Sequence, residues 1–124
     1  MEMFFSAEER YKYRKKNWLD EVYSHGVSLI RRFEYLPLKS EFIIEFFDPE
    51  DSDSKFTILF QKVTAFLDTT HDLEVSDESY EYNETEDPID FLESEKEGIT
   101  EYFIFTNARE LTWKTTEIPK IERL

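Results

Sequence analysis

The sequence predicts a mainly β domain of the α+β class. Its antiparallel strands should form a sandwich or open barrel, with a short N-terminal helix and an acidic excursion before the last hairpin. Three observations carry this expectation. Apolar residues alternate with period two through most of residues 27–67 and again through 99–115. The chain of 124 residues holds 12 Phe, 7 Tyr and 2 Trp, and each aromatic ring that is buried removes roughly 150–250 Å² from water. Only 2 Gly and 4 Pro occur, which fits an ordered chain rather than a low-complexity one. The length suits one domain, residues 1–124, with a single core.

Ser6-Ala7-Glu8-Glu9 has the form of a capping box, Ser with Glu three residues later. Helix formers follow through Lys16, so a helix is expected over residues 6–17, its early acids and late bases matching the helix dipole. Trp18, Leu19, Val22 and Tyr23 then anchor the next segment. From Val27 the pattern turns to strand, with Val27, Leu29, Arg31, Phe33 and Tyr35 alternating against their neighbours until Pro37 interrupts. Glu41 to Phe47 is a second strand, carrying Phe42, Ile44 and Phe46 on one face. A polar turn with Pro49 near its start fills residues 48–54. Lys55 to Leu67 resumes the strand pattern, and the two runs flanking the turn read as a hairpin.

Residues 68–98 are different: polar and acidic, with a short strand near Leu73-Glu74-Val75 and a helical turn over Asp87 to Glu93 led by Pro88. Ile99 to Phe105 and Arg109 to Thr115 form the last hairpin, around Asn107 and Ala108. Residues 116–124 read as a tail. Several strands carry apolar residues on both faces, which suggests strands covered on both sides.

Composition excludes several functions. Without Cys there is no disulfide scaffold, thiolate zinc site or thiol nucleophile, and the chain suits a reducing compartment. No run of about 20 apolar residues is present to span a membrane. Met1 to Ser6 lacks the basic start and apolar run of a signal peptide, so a cytoplasmic location is expected. Gly26 and Gly98 are the only glycines, too few for a nucleophile elbow, a P-loop or a dinucleotide fingerprint.

The remaining chemical motifs are weak. His71 and Leu73 share one side of an extended segment while Asp72 and Glu74 share the other, so that His does not converge with acids on a metal. His25 sits before Gly26 in a turn and reads as a turn residue. Asp48, Glu50, Asp51 and Asp53 suggest a calcium loop, but Asp53 and Leu59 stand where the pattern needs Gly and Glu. No cofactor, metal or catalytic residue is expected. Arg10, Lys12, Arg14, Lys15 and Lys16, interleaved with Tyr11 and Tyr13, form the one basic patch; it more naturally pairs with the protein's own acids, or with an acidic neighbour in a dimer, than with phosphate.

Charge is the informative feature. Residues 41–101 hold 20 acidic and 3 basic side chains, a net of −17 in a chain of net −14. Such a field repels nucleic acid and anionic membrane and speeds encounter with basic surfaces. Within the acidic excursion, Asp77, Glu78, Tyr80, Glu81, Tyr82, Glu84, Glu86 and Asp87 combine carboxylates that accept Arg and Lys with tyrosines that suit binding surfaces. These residues are the candidate partner-binding site, and the partner expected is a basic protein.

Four runs have a layout in common with a known group: His25 to Ile30, Phe42 to Phe46, Phe56 to Phe66, and Tyr102 to Leu111. Together they resemble small bacterial β-rich proteins, some of which are immunity proteins of polymorphic-toxin systems. The resemblance covers about residues 25–111, rests on hydrophobic spacing and carries over no functional residue. It implies a cytoplasmic, non-enzymatic protein that binds and blocks a toxin domain, and the acidic excursion would suit a basic, nuclease-type toxin. The alternative is a self-associating structural domain whose exposed sheet edge pairs with a second copy as a homodimer. A further alternative is an enzyme using carboxylates or His71.

Overall fold

In the computed structural model, residues 16–24, 29–68, 73–74 and 80–123 are described. The elements, in chain order, are β1 (Lys16–Asn17), α1 (Trp18–Ser24), β2 (Leu29–Leu36), β3 (Glu41–Asp48), β4 (Asp51–Phe60), β5 (Thr64–Asp68), β6 (Leu73–Glu74), β7 (Tyr80–Tyr82), β8 (Pro88–Lys96), β9 (Ile99–Thr106), β10 (Glu110–Thr115) and β11 (Lys120–Arg123). They build two antiparallel sheets. One has the order β1-β8-β9-β10-β5-β6, the other β11-β4-β3-β2-β7. The mainly β architecture with a short helix near the N-terminus is therefore as the alternation predicts, and of sandwich and open barrel it is the sandwich.

The period-two pattern explains the layering. Phe42, Ile44 and Phe46 of β3 face Phe56, Ile58 and Phe60 of β4 and Phe33 and Tyr35 of β2 on the same side. That side meets Phe91 of β8, Tyr102 and Ile104 of β9, and Leu111 and Trp113 of β10. The rings interlock: Trp113 lies 4.7 Å from Phe42 and 5.0 Å from Phe60, edge-on to both, and Tyr35 stacks on Phe66 at 4.5 Å. Leu92 and Phe103 are buried on the opposite face of the six-stranded sheet, so apolar residues on both faces of one strand do mark burial on both sides.

Four local features differ from expectation. Lys16–Asn17 is extended and pairs with Glu93 and Leu92, so the predicted helix does not reach residue 17; its earlier part lies outside the described residues. Among the described residues the helix is Trp18–Ser24, burying Trp18, Leu19 and Val22 along one side. The run from Lys55 to Leu67 is two strands, broken at Gln61 to Val63 where Lys62 takes a positive φ of 53°, and the break carries the chain from one sheet to the other. The helical turn expected over 87–93 is strand β8, and the presumed tail contains strand β11. Both were hidden by composition: β8 mixes acids with Ile89, Phe91 and Leu92, of which Ile89 is exposed, yet its ladder to β9 fixes it. Pro88 opens β8, where a missing N–H does the least harm to a ladder.

The β3–β4 turn is tighter than residues 48–54. Asp48 Oδ1 accepts a hydrogen bond from the Glu50 N–H at 2.9 Å, closing a short turn over Pro49. At the other end of the molecule Glu97 and Gly98, with φ of 56° and 80°, make the two-residue turn joining β8 to β9.

Candidate functional site

The described part of the predicted binding segment begins in β7, the last strand of the five-stranded sheet. Its register sets Tyr80 opposite Tyr35, Glu81 opposite Glu34 and Tyr82 opposite Phe33. Two carboxylates directly across an antiparallel pair repel one another. Here each has a local partner: Arg32 Nη1 lies 3.2 Å from Glu34, and Asn83 Nδ2 donates to Glu81 at 2.8 Å.

Beyond β7 the chain crosses to the other sheet. Glu86 makes a pair of backbone hydrogen bonds with Ile30 of β2, at 2.8 and 2.9 Å. The next residue bonds to the β9–β10 turn: the Asp87 N–H donates to Asn107 Oδ1 at 3.0 Å, and the Asn107 N–H donates to the Asp87 carbonyl at 3.2 Å. Residues 86–87 thus tie the two layers together.

A buried ion pair locks this crossing. Arg109 Nε and Nη2 both donate to Glu86 Oε2 at 2.7 Å, and Nε lies 2.8 Å from Oε1. Thr106 Oγ1 donates to Glu86 Oε1 at 2.7 Å, and the same hydroxyl accepts from the Arg109 N–H at 3.0 Å. Glu86 is 2% exposed and Arg109 6%. Bidentate geometry with further hydrogen bonds is what lets two charges stay buried. The Arg109 guanidinium also lies 3.7 Å from the centroid of the Tyr82 ring, a cation–π contact.

The predicted residues therefore divide. Glu81, Glu84 and Asp87 are exposed, on a stretch of chain held at both ends. Tyr82 is half-buried beneath Arg109. Glu86 does not face a partner, because its carboxylate is already committed to Arg109 and Thr106; the expectation that it lies on the binding surface is corrected. Tyr80 has its backbone in the β7 ladder, and Asp77 and Glu78 lie outside the described residues, as do His25 and His71. The register adds something spacing alone does not. Leu29 pairs with Phe47 and Ile30 bridges to Glu86, so the Asp48–Asp51 turn sits at the same end of the sheet as Glu84 and Asp87.

Sequence reasoning missed Arg109, Thr106 and Asn107, which hold this segment in place. The available signal was an Arg just after a Thr-Asn turn, between two strongly apolar strands. Such a cation needs a buried carboxylate partner.

Among the described residues no group of three or more His, Asp or Glu side chains converges in a way that could hold a metal ion. None of their helices is long and apolar enough to cross a membrane. Comparison of the chain with family models, with curated proteins and with solved structures gives no match.

Proposed function

We propose that this chain is a non-enzymatic, cytoplasmic binding protein that takes a basic protein partner through its acidic crossing segment. Some of the small bacterial β-rich proteins that its hydrophobic spacing resembles are immunity proteins; on that reading binding blocks a toxin, and the partner class that fits here is a basic, nuclease-type toxin domain. The observation that carries the reading is the ordered presentation of Glu81, Glu84 and Asp87. A purely solvating acidic loop has no need of a buried Glu86–Arg109 pair at its base. Fixing the carboxylates beforehand lowers the entropy lost on binding. The negative field around them steers cationic surfaces and turns away nucleic acid.

Among the described residues β7 has no strand on its outer side, which supports a second reading, self-association by strand pairing into a homodimer. Glu81 on that edge opposes it, because two copies would bring like charges together.

The test is capture from lysate of the source cells at low and moderate salt, followed by association kinetics with the protein retained. The comparison variant is Glu81→Gln/Glu84→Gln/Asp87→Asn. The binding reading expects one basic protein, held stoichiometrically, released by salt and inhibited while bound. Its association with the triple variant should be about tenfold slower, with dissociation nearly unchanged. An unchanged association rate, or a salt-insensitive dimer alone in sedimentation velocity, overturns it.

A further inference from the structure

The outer face of the six-stranded sheet is more buried than the described elements account for. Strand register puts Leu92 of β8, Phe103 of β9 and Thr112 of β10 side by side on that face, with Phe105 and Glu110 next to them. In the single chain Leu92 and Phe103 are each 3% exposed, Thr112 4% and Glu110 2%. The five-stranded sheet lies on the other side and does not cover them. Helix α1 is on the core side too, since Trp18, Leu19 and Val22 join the main core. Leu92 and Phe103 form a separate cluster, with Phe105 packed against it. Large apolar side chains with so little exposure need a layer of atoms above them.

The rest of the chain is limited in what it can bring there. Residues 25–28 run from α1 to β2 of the other sheet. Residues 69–72 and 75–79 flank β6, at the far edge of the sheet and three strands from β9, about 14 Å at the usual spacing. Each of these stretches is short and tied at both ends. Residues 1–15 are not so restricted. They end where β1 begins, and β1 sets Asn17 opposite Leu92, at the margin of this face. Their length, about 50 Å when extended, is enough to cross the whole sheet.

The composition of residues 1–15 also matches the face. Phe4, Phe5, Tyr11 and Tyr13 suit the apolar strip, and the bases between Arg10 and Lys15 suit the acids beside it, Asp90, Glu101 and Glu110. A carboxylate held as far from water as Glu110 keeps its charge only with a donor beside it.

We propose that residues 1–15 dock across the outer face of the six-stranded sheet, with their aromatic side chains over Leu92, Phe103 and Phe105 and their bases toward Asp90 and Glu110. The basic patch of the sequence is then held against the chain's own acids, and this face is closed to a second copy. The docking stands whether or not Glu81, Glu84 and Asp87 take a partner.

The chain has no Cys, so a nitroxide can be attached at one chosen position. The experiment uses the ¹⁵N-labelled full chain carrying Lys12→Cys or, separately, Glu8→Cys, with the nitroxide reduced by ascorbate as reference. The expected result is loss of most of the amide signal at Leu92, Phe103 and Thr112. Ile43, Thr57 and Leu59, on the outer face of the five-stranded sheet, should keep theirs. A mixture of nitroxide-bearing chain without ¹⁵N and ¹⁵N chain without nitroxide should show no loss at either face. Phe103→Ser should release the segment and restore the signals of Leu92 and Thr112, while the indole N–H of the buried Trp113 keeps its position and reports an intact fold. Leu92→Thr, the milder change, takes its place if Phe103→Ser does not fold.

Uniform loss across both sheets, loss confined to the five-stranded sheet, or none at all overturns the proposal. So does equal loss in the mixed sample, which would make a second copy's N-terminal segment the occupant. Undiminished loss in a folded Phe103→Ser or Leu92→Thr chain would also overturn it, because the apolar strip would then not be what holds the segment.

Discussion

Two carboxylate–cation pairs in this protein have nearly the same separation and opposite consequences. Glu86 and Arg109 meet at 2.7 Å, and Glu117 and Lys62 at 2.8 Å. The first pair is almost wholly out of water, bidentate and supported by Thr106. The second has side chains 42% and 73% exposed and one point of contact. Separation alone therefore says little about energy. In the buried pair each charge has surrendered its hydration and depends on the other; in the exposed pair water stands ready to replace either partner.

The largest expected effect comes from breaking the buried pair on one side. Arg109→Ala leaves Glu86 charged and unpaired between the two sheets. It should lower stability by roughly 3–5 kcal/mol in denaturant unfolding. Arg109→Lys should recover only part of this, because an ammonium cannot bond both carboxylate oxygens as the guanidinium fork does. The double replacement Glu86→Leu/Arg109→Met should be clearly more stable than Arg109→Ala, since it removes both charges together. Hydrogen exchange adds a spatial check: Arg109→Ala should speed exchange at Glu81 and Tyr82 more than at Ile44 or Ile58. Uniform acceleration, or a loss below about 1 kcal/mol, would mean that the pair does not order the acidic segment.

A second effect contrasts buried and exposed titration. Burial, with the charge of Glu93, holds Tyr102 above the ordinary phenol value of 10.0, and burial alone raises Tyr35. In the unfolded chain both phenols ionise near that ordinary value. Their folded forms keep the proton to higher pH, so the folded state loses stability as pH rises above 10. The slope approaches about 1.4 kcal/mol per pH unit for each group while its unfolded form alone is ionised. Tyr102→Phe should flatten this alkaline slope. Ultraviolet titration should show these phenols ionising together with unfolding; early ionisation of the full tyrosine complement would break the prediction.

The same contrast explains what could be read in the sequence. Strands with apolar residues at every second position, such as Phe42 to Phe46 and Phe56 to Phe60, announce themselves because their side chains supply the core. The β8 strand does not, because its place comes from backbone pairing with β9 and from just Phe91 and Leu92. Likewise Ile121 is the sole apolar residue of β11, whose ladder to β4 identifies it. The acidic segment was visible as charge. Which of its acids face water was not, because Glu86 differs from Glu84 only in having Arg109 within reach, 23 residues further along the chain. Contacts of that range are set by sheet topology. A turn motif such as Thr106 to Arg109 gives only a hint of them.

The smallest effect belongs to the exposed pair and is the sharpest check on the comparison. Lys62→Ala should leave the melting temperature unchanged within error, at low and at high salt, because a largely exposed pair loses little when water takes over. Its trace should appear only in titration. The hydrogen bond and charge of Lys62 lower the Glu117 pKa, and Glu117 in turn raises that of Lys62. Whatever stability Glu117 contributes is present above the ordinary glutamate value of 4.5 and is lost as pH falls through its lowered folded value. The Lys62 share is present below 10.5 and is lost as pH rises through its raised folded value. Nuclear magnetic resonance titration of the Glu117 carboxyl should therefore show its pKa move back toward 4.5 in Lys62→Ala, with no matching change in unfolding. A clear drop in stability would place this pair with Glu86 and Arg109, and burial would no longer be what separates the two.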